Sequence, residues 1–356
     1  MITFNPWPRD YQFFKEDYNR IFEQSMMQSN DGVEDFEEDI AHEVGRKYAI
    51  AVNSATDALH FSLEAYGIGQ NDEVLVSNFS WISSASCVKM VGANPVFCDI
   101  DLDTYCISLD SIKRMKTDKT KAVIYTPLYG SMKDTTELEE WCTQENLILI
   151  EDSAQAWGSS YQNKKAGTVG DISSFSFNTN KVVCSPVGGG IVLTDNFEVA
   201  QNVAKLRRHG NGEFLGRNSR LYPFAANIIR FRISNEKNFI LIRQKIAEQY
   251  NDSFSDVGLN TQWMDDSENH NYHKYTLRFE DIETRAHVQQ ILKSQQIESN
   301  IKYDTPLSKL NVFEEFKSDK TPNTDLACNT VLSIPIHAFL TEKETDQIIN
   351  TIWASA

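Results

Sequence analysis

Residues 147–195 read "LILIEDSAQAWGSSYQNKKAGTVGDISSFSFNTNKVVCSPVGGGIVLTD", and three short apolar runs (147–152, 172–177 and 190–195) stand out between polar, glycine-bearing turns. Runs of this length and character suit strands covered on both faces, as in parallel sheets. The first run ends in Glu151 and Asp152; the second leads into Lys181; the third begins on a glycine triplet, Gly188 to Gly190. Ligands of open α/β sheets sit beyond the carboxyl ends of the strands. An acid at one strand end and a lysine just past the next are therefore candidates for a site. Each also has a plainer reading, Asp152 as a solvated turn acid and Lys181 as a loop charge.

Outward from this stretch the same alternation continues. Further strands are expected at 74–77, 95–100 and 122–126, and "SATDALHFSLEAYG" (54–67) reads as a helix with Leu59, Leu63 and Tyr66 on one stripe and Gly67 as its stop. Strands alternating with helices predict an α/β layer structure with a largely parallel sheet. Near residue 240 the pattern changes to a long helix, "NFILIRQKIAEQYNDSF", an acidic loop, a strand "KYTLRF" and two more helices. We expect a large α/β domain over 1–240 and a smaller α+β domain over 241–356.

Composition narrows the function. The chain has 356 residues with a net charge of -16, and a surplus of acid opposes binding to nucleic-acid phosphates or an anionic membrane surface. Small molecules are the expected partners. The start "MITFNPWPRD" lacks the basic-then-apolar pattern of a secretory leader, so a cytoplasmic location is expected. Six scattered cysteines form no CxxC pair, and buried thiols rather than disulfides are expected. The histidines show no ligand spacing, and no metal is expected.

In "AVNSATDALHF", Ser54, Ala55 and Thr56 follow a strand end and open a helix. Free N–H groups and the helix dipole make such a start an anion site, and an ordinary Ser54 N-cap also explains it.

Together these motifs resemble the pyridoxal-phosphate-dependent sugar aminotransferases of the DegT/DnrJ/StrS group, with the fold type I architecture. The resemblance continues in order through "NDEVLVSNFSWISSASCVKMVGANPVFCDIDLDTY", "LYGSMKD", "LRRHGNG", "GRNSRLYPFAAN", "KYDTPL" and "LSIPIHAFLTEKE". It implies that Lys181 carries the aldehyde of pyridoxal 5'-phosphate as a Schiff base and then shuttles protons, and that Asp152 pairs with the pyridine nitrogen. By the same resemblance Gln155 lies near the ring hydroxyl, Trp81 stacks on the ring, and Ser54, Ala55, Thr56 and Ser176 hold the phosphate. Asn218 would reach the phosphate from a second subunit, implying a homodimer with shared active sites.

The implied activity is transfer of an amino group from L-glutamate, through pyridoxamine phosphate, to a keto sugar for cell-surface polysaccharide such as lipopolysaccharide. A nucleotide-linked 4-keto-6-deoxy sugar is the expected acceptor, with a nucleotide-free keto sugar acid of the octulosonate type as the alternative. Sugar dehydration is opposed by Lys181, since dehydrating relatives put His there, and a non-catalytic regulator is opposed by retention of Lys181, Asp152 and Gln155. The chain departs from the family pattern at Ala55, Pro127, Val187, Lys302 and Pro223. These departures are expected to border the sugar pocket. "NPWP" (5–8) and "DDSENHN" with His270 and His273 are further candidates for the pocket lining, and for the latter an exposed polar loop is the preferred reading.

Overall fold

The computed structural model describes residues 1–27, 32–255, 259–262, 264–265 and 267–355. Its centre is a seven-stranded sheet in the order Tyr48–Val52, Gly190–Thr194, Ile172–Ser176, Ile148–Asp152, Thr120–Tyr125, Glu73–Ser77, Asn94–Cys98. Six of these strands run parallel. Gly190–Thr194 is antiparallel to both neighbours, Tyr48–Val52 and Ile172–Ser176. All three apolar runs of the opening stretch are adjacent in this sheet, and their interior residues are buried because helices cover both faces.

One face packs Val123, Leu149, Phe175 and Ile191 against Phe36 and Ile40 of helix Gly32–Val44 and against Ala226 and Ile229 of helix Pro223–Ser255. The other face packs Val74, Val76, Ile124 and Ile150 against Leu59 and Leu63 of helix Ala55–Ala65, Val88 of Ser83–Met90 and Val203 of Phe197–Leu206. Helix Ala55–Ala65 starts where it does because the Ser54 hydroxyl accepts from the Asp57 N–H at 3.1 Å.

A second, three-stranded antiparallel sheet orders Asn260–Thr261, Tyr275–Arg278 and Val331–Ile334. Leu277, Leu332 and Ile334 form its core with Val288 and Leu292 of helix Ile282–Ser294 and Ile348 and Ile352 of helix Glu342–Trp353. Helix Pro223–Ser255 runs 33 residues without interruption, about 50 Å at 1.5 Å per residue. Its first turns bury Ala225, Ala226 and Ile229 in the core of the large sheet, and its last bury Ile246, Ala247, Tyr250 and Phe254 in that of the small sheet. Pro223 stands at the first helical position, where its missing N–H costs nothing.

All six cysteines are free and buried. Among the described residues no helix is long and apolar enough to cross a membrane.

Candidate active site

A cavity of about 390 Å³ opens beyond the carboxyl ends of the parallel strands, where segments preceding and following the small sheet's central strand close over them. Ser54, Ala55, Thr56, Trp81, Asp152, Gln155, Ser176 and Lys181 all line it. Asn218 does not; it is exposed, its backbone bridging to Arg208.

Strand geometry explains why Asp152 and not Glu151 faces this space, since successive side chains point to opposite faces. Glu151, fully buried, accepts from the Gly167 and Val169 N–H groups at 2.9 Å and ties down the loop behind the sheet. Asp152 Oδ2 accepts from the Ser84 hydroxyl at 2.8 Å and Oδ1 from the Ala154 N–H at 3.3 Å. Burial raises the Asp152 carboxyl above its ordinary range, opposed by the Ser84 hydrogen bond and by the Lys181 charge.

Lys181 sits on the loop after strand Ile172–Ser176, with its N–H bonded to the Asn178 carbonyl at 2.9 Å. Burial pushes its amine down to about 8; Asp152 opposes the shift and Lys302 adds to it. The next residue is held from behind. Arg232, itself 3% exposed on the long helix, donates to the Val182 carbonyl at 3.2 Å while it pairs with buried Asp10 and covers the Phe239 ring.

Gln155 is fixed at both ends of its amide: Oε1 accepts from the Tyr129 N–H at 2.9 Å and Nε2 donates to the Tyr303 hydroxyl at 3.2 Å. Trp81, half exposed, faces the cavity with the Lys302 ammonium 5.0 Å from its ring centre.

The start of helix Ala55–Ala65 forms the remaining wall. The Ala55 and Thr56 N–H groups have no hydrogen-bond partner among the described residues, and the Thr56 hydroxyl lies 2.9 Å from that of Ser83. Strand Gly190–Thr194 passes directly beneath. A Cβ on Gly190 would stand 2.3 Å from the Ser54 carbonyl carbon and 2.6 Å from the Ala55 nitrogen, so only glycine permits this approach. The loop carrying Asn218 docks on the same helix start, because Ser219 Oγ accepts from the Asn53 N–H at 3.1 Å and donates to Asp57 at 2.6 Å.

Pyridoxal phosphate fits this arrangement. Two free N–H groups at a helix start suit a phosphate, a buried carboxyl suits a cationic ring nitrogen, and an amine with a lowered pKa suits an aldehyde.

The structure also corrects one expectation. His270 and His273 do not lie in an exposed loop; both are buried, and His273 and Lys274 line the cavity. The segment turns inward because the Asn271 amide donates to the Gln155 and Trp157 carbonyls at 2.9 Å, packed against Gly130. Asp266 of the quoted loop lies outside the described residues. Among the departures, Val187 and Lys302 line the cavity, whereas Pro127, Pro223 and the "NPWP" segment do not. Tyr129, Tyr303 and Lys274 were not singled out in the sequence as cavity residues.

Comparison with known proteins agrees with this chemistry. The model of the DegT/DnrJ/EryC1/StrS aminotransferase family matches residues 8–353. The chain belongs to this family. It is a pyridoxal-phosphate-dependent sugar aminotransferase of fold type I. The aminotransferase is similar to the UDP-2-acetamido-2-deoxy-3-oxo-D-glucuronate aminotransferase of Pseudomonas aeruginosa, 32% identical over 313 residues and 86% of each chain. It is similar also to the dTDP-3-amino-3,6-dideoxy-alpha-D-galactopyranose transaminase of Aneurinibacillus thermoaerophilus, 30% identical over 94% of this chain and 93% of that one. Among solved structures, S. venezuelae DesV in complex with a ketimine intermediate superposes with a TM-score of 0.94 at 25% identity, covering 100% of this chain and 99% of that one.

Proposed function

We propose that the enzyme transfers the amino group of L-glutamate to a nucleotide-linked keto sugar, with Lys181 as the catalytic amine and Asp152 as the partner of the cofactor ring. The observation that carries this reading is the convergence of Lys181, Asp152 and the open helix start at Ala55 and Thr56 on one cavity. When bound, pyridoxal phosphate supplies an aldehyde that takes up the amine and a cationic ring that draws electrons from the adjoining carbon.

The chain's own residues do the rest. Ala55 and Thr56 offer N–H groups to the phosphate at the positive end of the helix, and Ser176 and Thr56 offer hydroxyls. Asp152, oriented by Ser84, holds a proton on the ring nitrogen. Gln155, clamped by Tyr129 and Tyr303, is a donor beside the ring hydroxyl. Lys181 Nζ, with its pKa near 8, is poised to take a proton from the substrate carbon and return it. Trp81 covers one face of the ring. By the family resemblance Asn218, which is exposed and does not line the cavity of its own chain, serves a second copy's phosphate, and the working unit is a homodimer.

The test is spectroscopic. Purified protein should carry a visible absorption band that L-glutamate bleaches and a keto sugar nucleotide restores. A colourless protein that gains no band when pyridoxal phosphate is added would refute the reading. The same half-reaction, run with 3-keto and 4-keto sugar nucleotides, identifies the carbon aminated.

A further inference from the structure

The cavity holds two lysines to which the proposed cofactor contacts give no work. Three lysines line it, Lys181, Lys274 and Lys302, against one carboxylate, Asp152, whose oxygens are already engaged by Ser84 and Ala154. Lys181 and Asp152 have assigned work. Lys274 and Lys302 do not, and among the described residues neither has a carboxylate within ion-pair distance.

Both ammonium groups rest on aromatic rings instead. Lys274 Nζ lies 4.0 Å from the centre of the Phe4 ring, and Lys302 Nζ 5.0 Å from that of Trp81. A ring face replaces only part of the hydration that a buried ammonium loses. Lys274 is 8% exposed, so the shortfall there is large. Burial, together with repulsion from Lys181, Arg243 and Lys302, holds its amine well below the ordinary lysine range. An anion between the two lysines would relieve this.

The phosphate cradle is built on a different wall, the helix start at Ser54 to Thr56, and leaves these two lysines free. We propose that Lys274 and Lys302 form a second anion subsite that takes a carboxylate of the acceptor, so that the keto sugar is a sugar acid. This deepens the aminotransferase reading and rests on it.

A carboxylate fits better than the sugar nucleotide's diphosphate. A nucleoside diphosphate must leave toward solvent, whereas Lys274 is covered and shares its electrostatic field with Lys181, where the amine is exchanged. Donor and acceptor occupy this space in turn. The carboxylate of the amino donor fills the subsite in the first half-reaction, and a neutral acceptor would leave two lysines uncompensated in the second. Sites with groups left unpaired reject the ligand that lacks the partner.

The test uses the pyridoxamine-phosphate-loaded enzyme and a matched pair of sugars. One is UDP-2-acetamido-2-deoxy-3-oxo-D-glucuronate; the other carries a hydroxymethyl group in place of its carboxylate. The second-order rate constant for return of the visible band should favour the acid at least tenfold, roughly the worth of one hydrogen bond to a charged group. The preference should collapse in Lys302→Met and in Lys274→Met. Lys302 is half-buried, so Lys302→Met remains informative if the more buried Lys274→Met does not fold.

Equal rate constants in the wild type, or a preference that survives both substitutions, would overturn the proposal. So would equal weakening of both sugars in the variants, which places the lysines on the diphosphate. Bleaching of the visible band by L-glutamate reports separately on the aminotransferase reading. Bleaching without an acid preference refutes the subsite alone.

Discussion

Gly190→Ala tests how tightly the sheet and the helix start are built around one another. The added Cβ would stand 2.3 Å from the Ser54 carbonyl carbon, 2.5 Å from its oxygen and 2.6 Å from the Ala55 nitrogen, where ordinary contact begins at 3.4 Å. All three are backbone atoms, so no side chain can swing aside. The helix start must retreat by roughly 1 Å, a displacement that takes an N–H···O bond of about 2.9 Å out of range. The overpacking itself costs about 1–3 kcal/mol. Loss of two N–H bonds to a charged phosphate, at about 1.5–3 kcal/mol each, removes at least about 3 kcal/mol of cofactor binding, or roughly a hundredfold in Kd. The assay is titration of apoenzyme with pyridoxal phosphate by visible absorbance, with circular dichroism as the check on folding. The neighbouring Gly188→Ala is the control, because nothing lies within 4 Å of its Cβ and only its φ of +75° is strained. Wild-type cofactor affinity in a folded Gly190→Ala protein would refute the phosphate cradle.

Three further predictions follow the same geometry. Asp152→Asn should fold and bind cofactor but lose most of its turnover, because the ring nitrogen loses its negative partner; near-normal kcat would assign that part to another acid. The second-order rate at which apoenzyme captures pyridoxal phosphate should rise about tenfold per pH unit and level off near pH 8, where the Lys181 amine becomes mostly neutral; a rise continuing unbroken toward pH 10.5 would show an ordinary lysine. Finally, Lys181→Ala and Asn218→Ala proteins, each inactive alone, should regain up to about a quarter of wild-type activity when mixed and re-equilibrated, the statistical share of intact sites in a random dimer mixture. No recovery, with mixed dimers present by mass, would end the shared-site reading.

The strand runs around Lys181 were legible because both-face burial makes their apolar character continuous, and each of the seven expected strands overlaps an observed one. Asp152 and Lys181 were legible because short motifs fix them to strand ends. The segment from His270 to Lys274 was not. Its composition is that of a surface loop, and it is buried only because Asn271 satisfies carbonyls more than a hundred residues away. No local pattern announces such a bond. Lys302 was visible as a departure from the family pattern, but that it shares a wall with Lys274 depends on how two distant segments meet.

The long helix has a consequence of its own. Arg232 grips the Val182 carbonyl beside Lys181, and eleven residues on, Arg243 grips the Tyr272 carbonyl beside His273 at 2.9 Å. Eleven residues make just over three whole turns, so both guanidinium groups leave the helix on one side and each fastens one rim of the cavity. The helix between them works as a spacer gauge. A single residue inserted or deleted there would turn one arginine by about 100° and slide it about 1.5 Å, leaving a buried cation without its carbonyl. Diversification of this enzyme should therefore change the residues facing the cavity while holding that eleven-residue interval constant, even where its outer surface tolerates nearly any polar side chain.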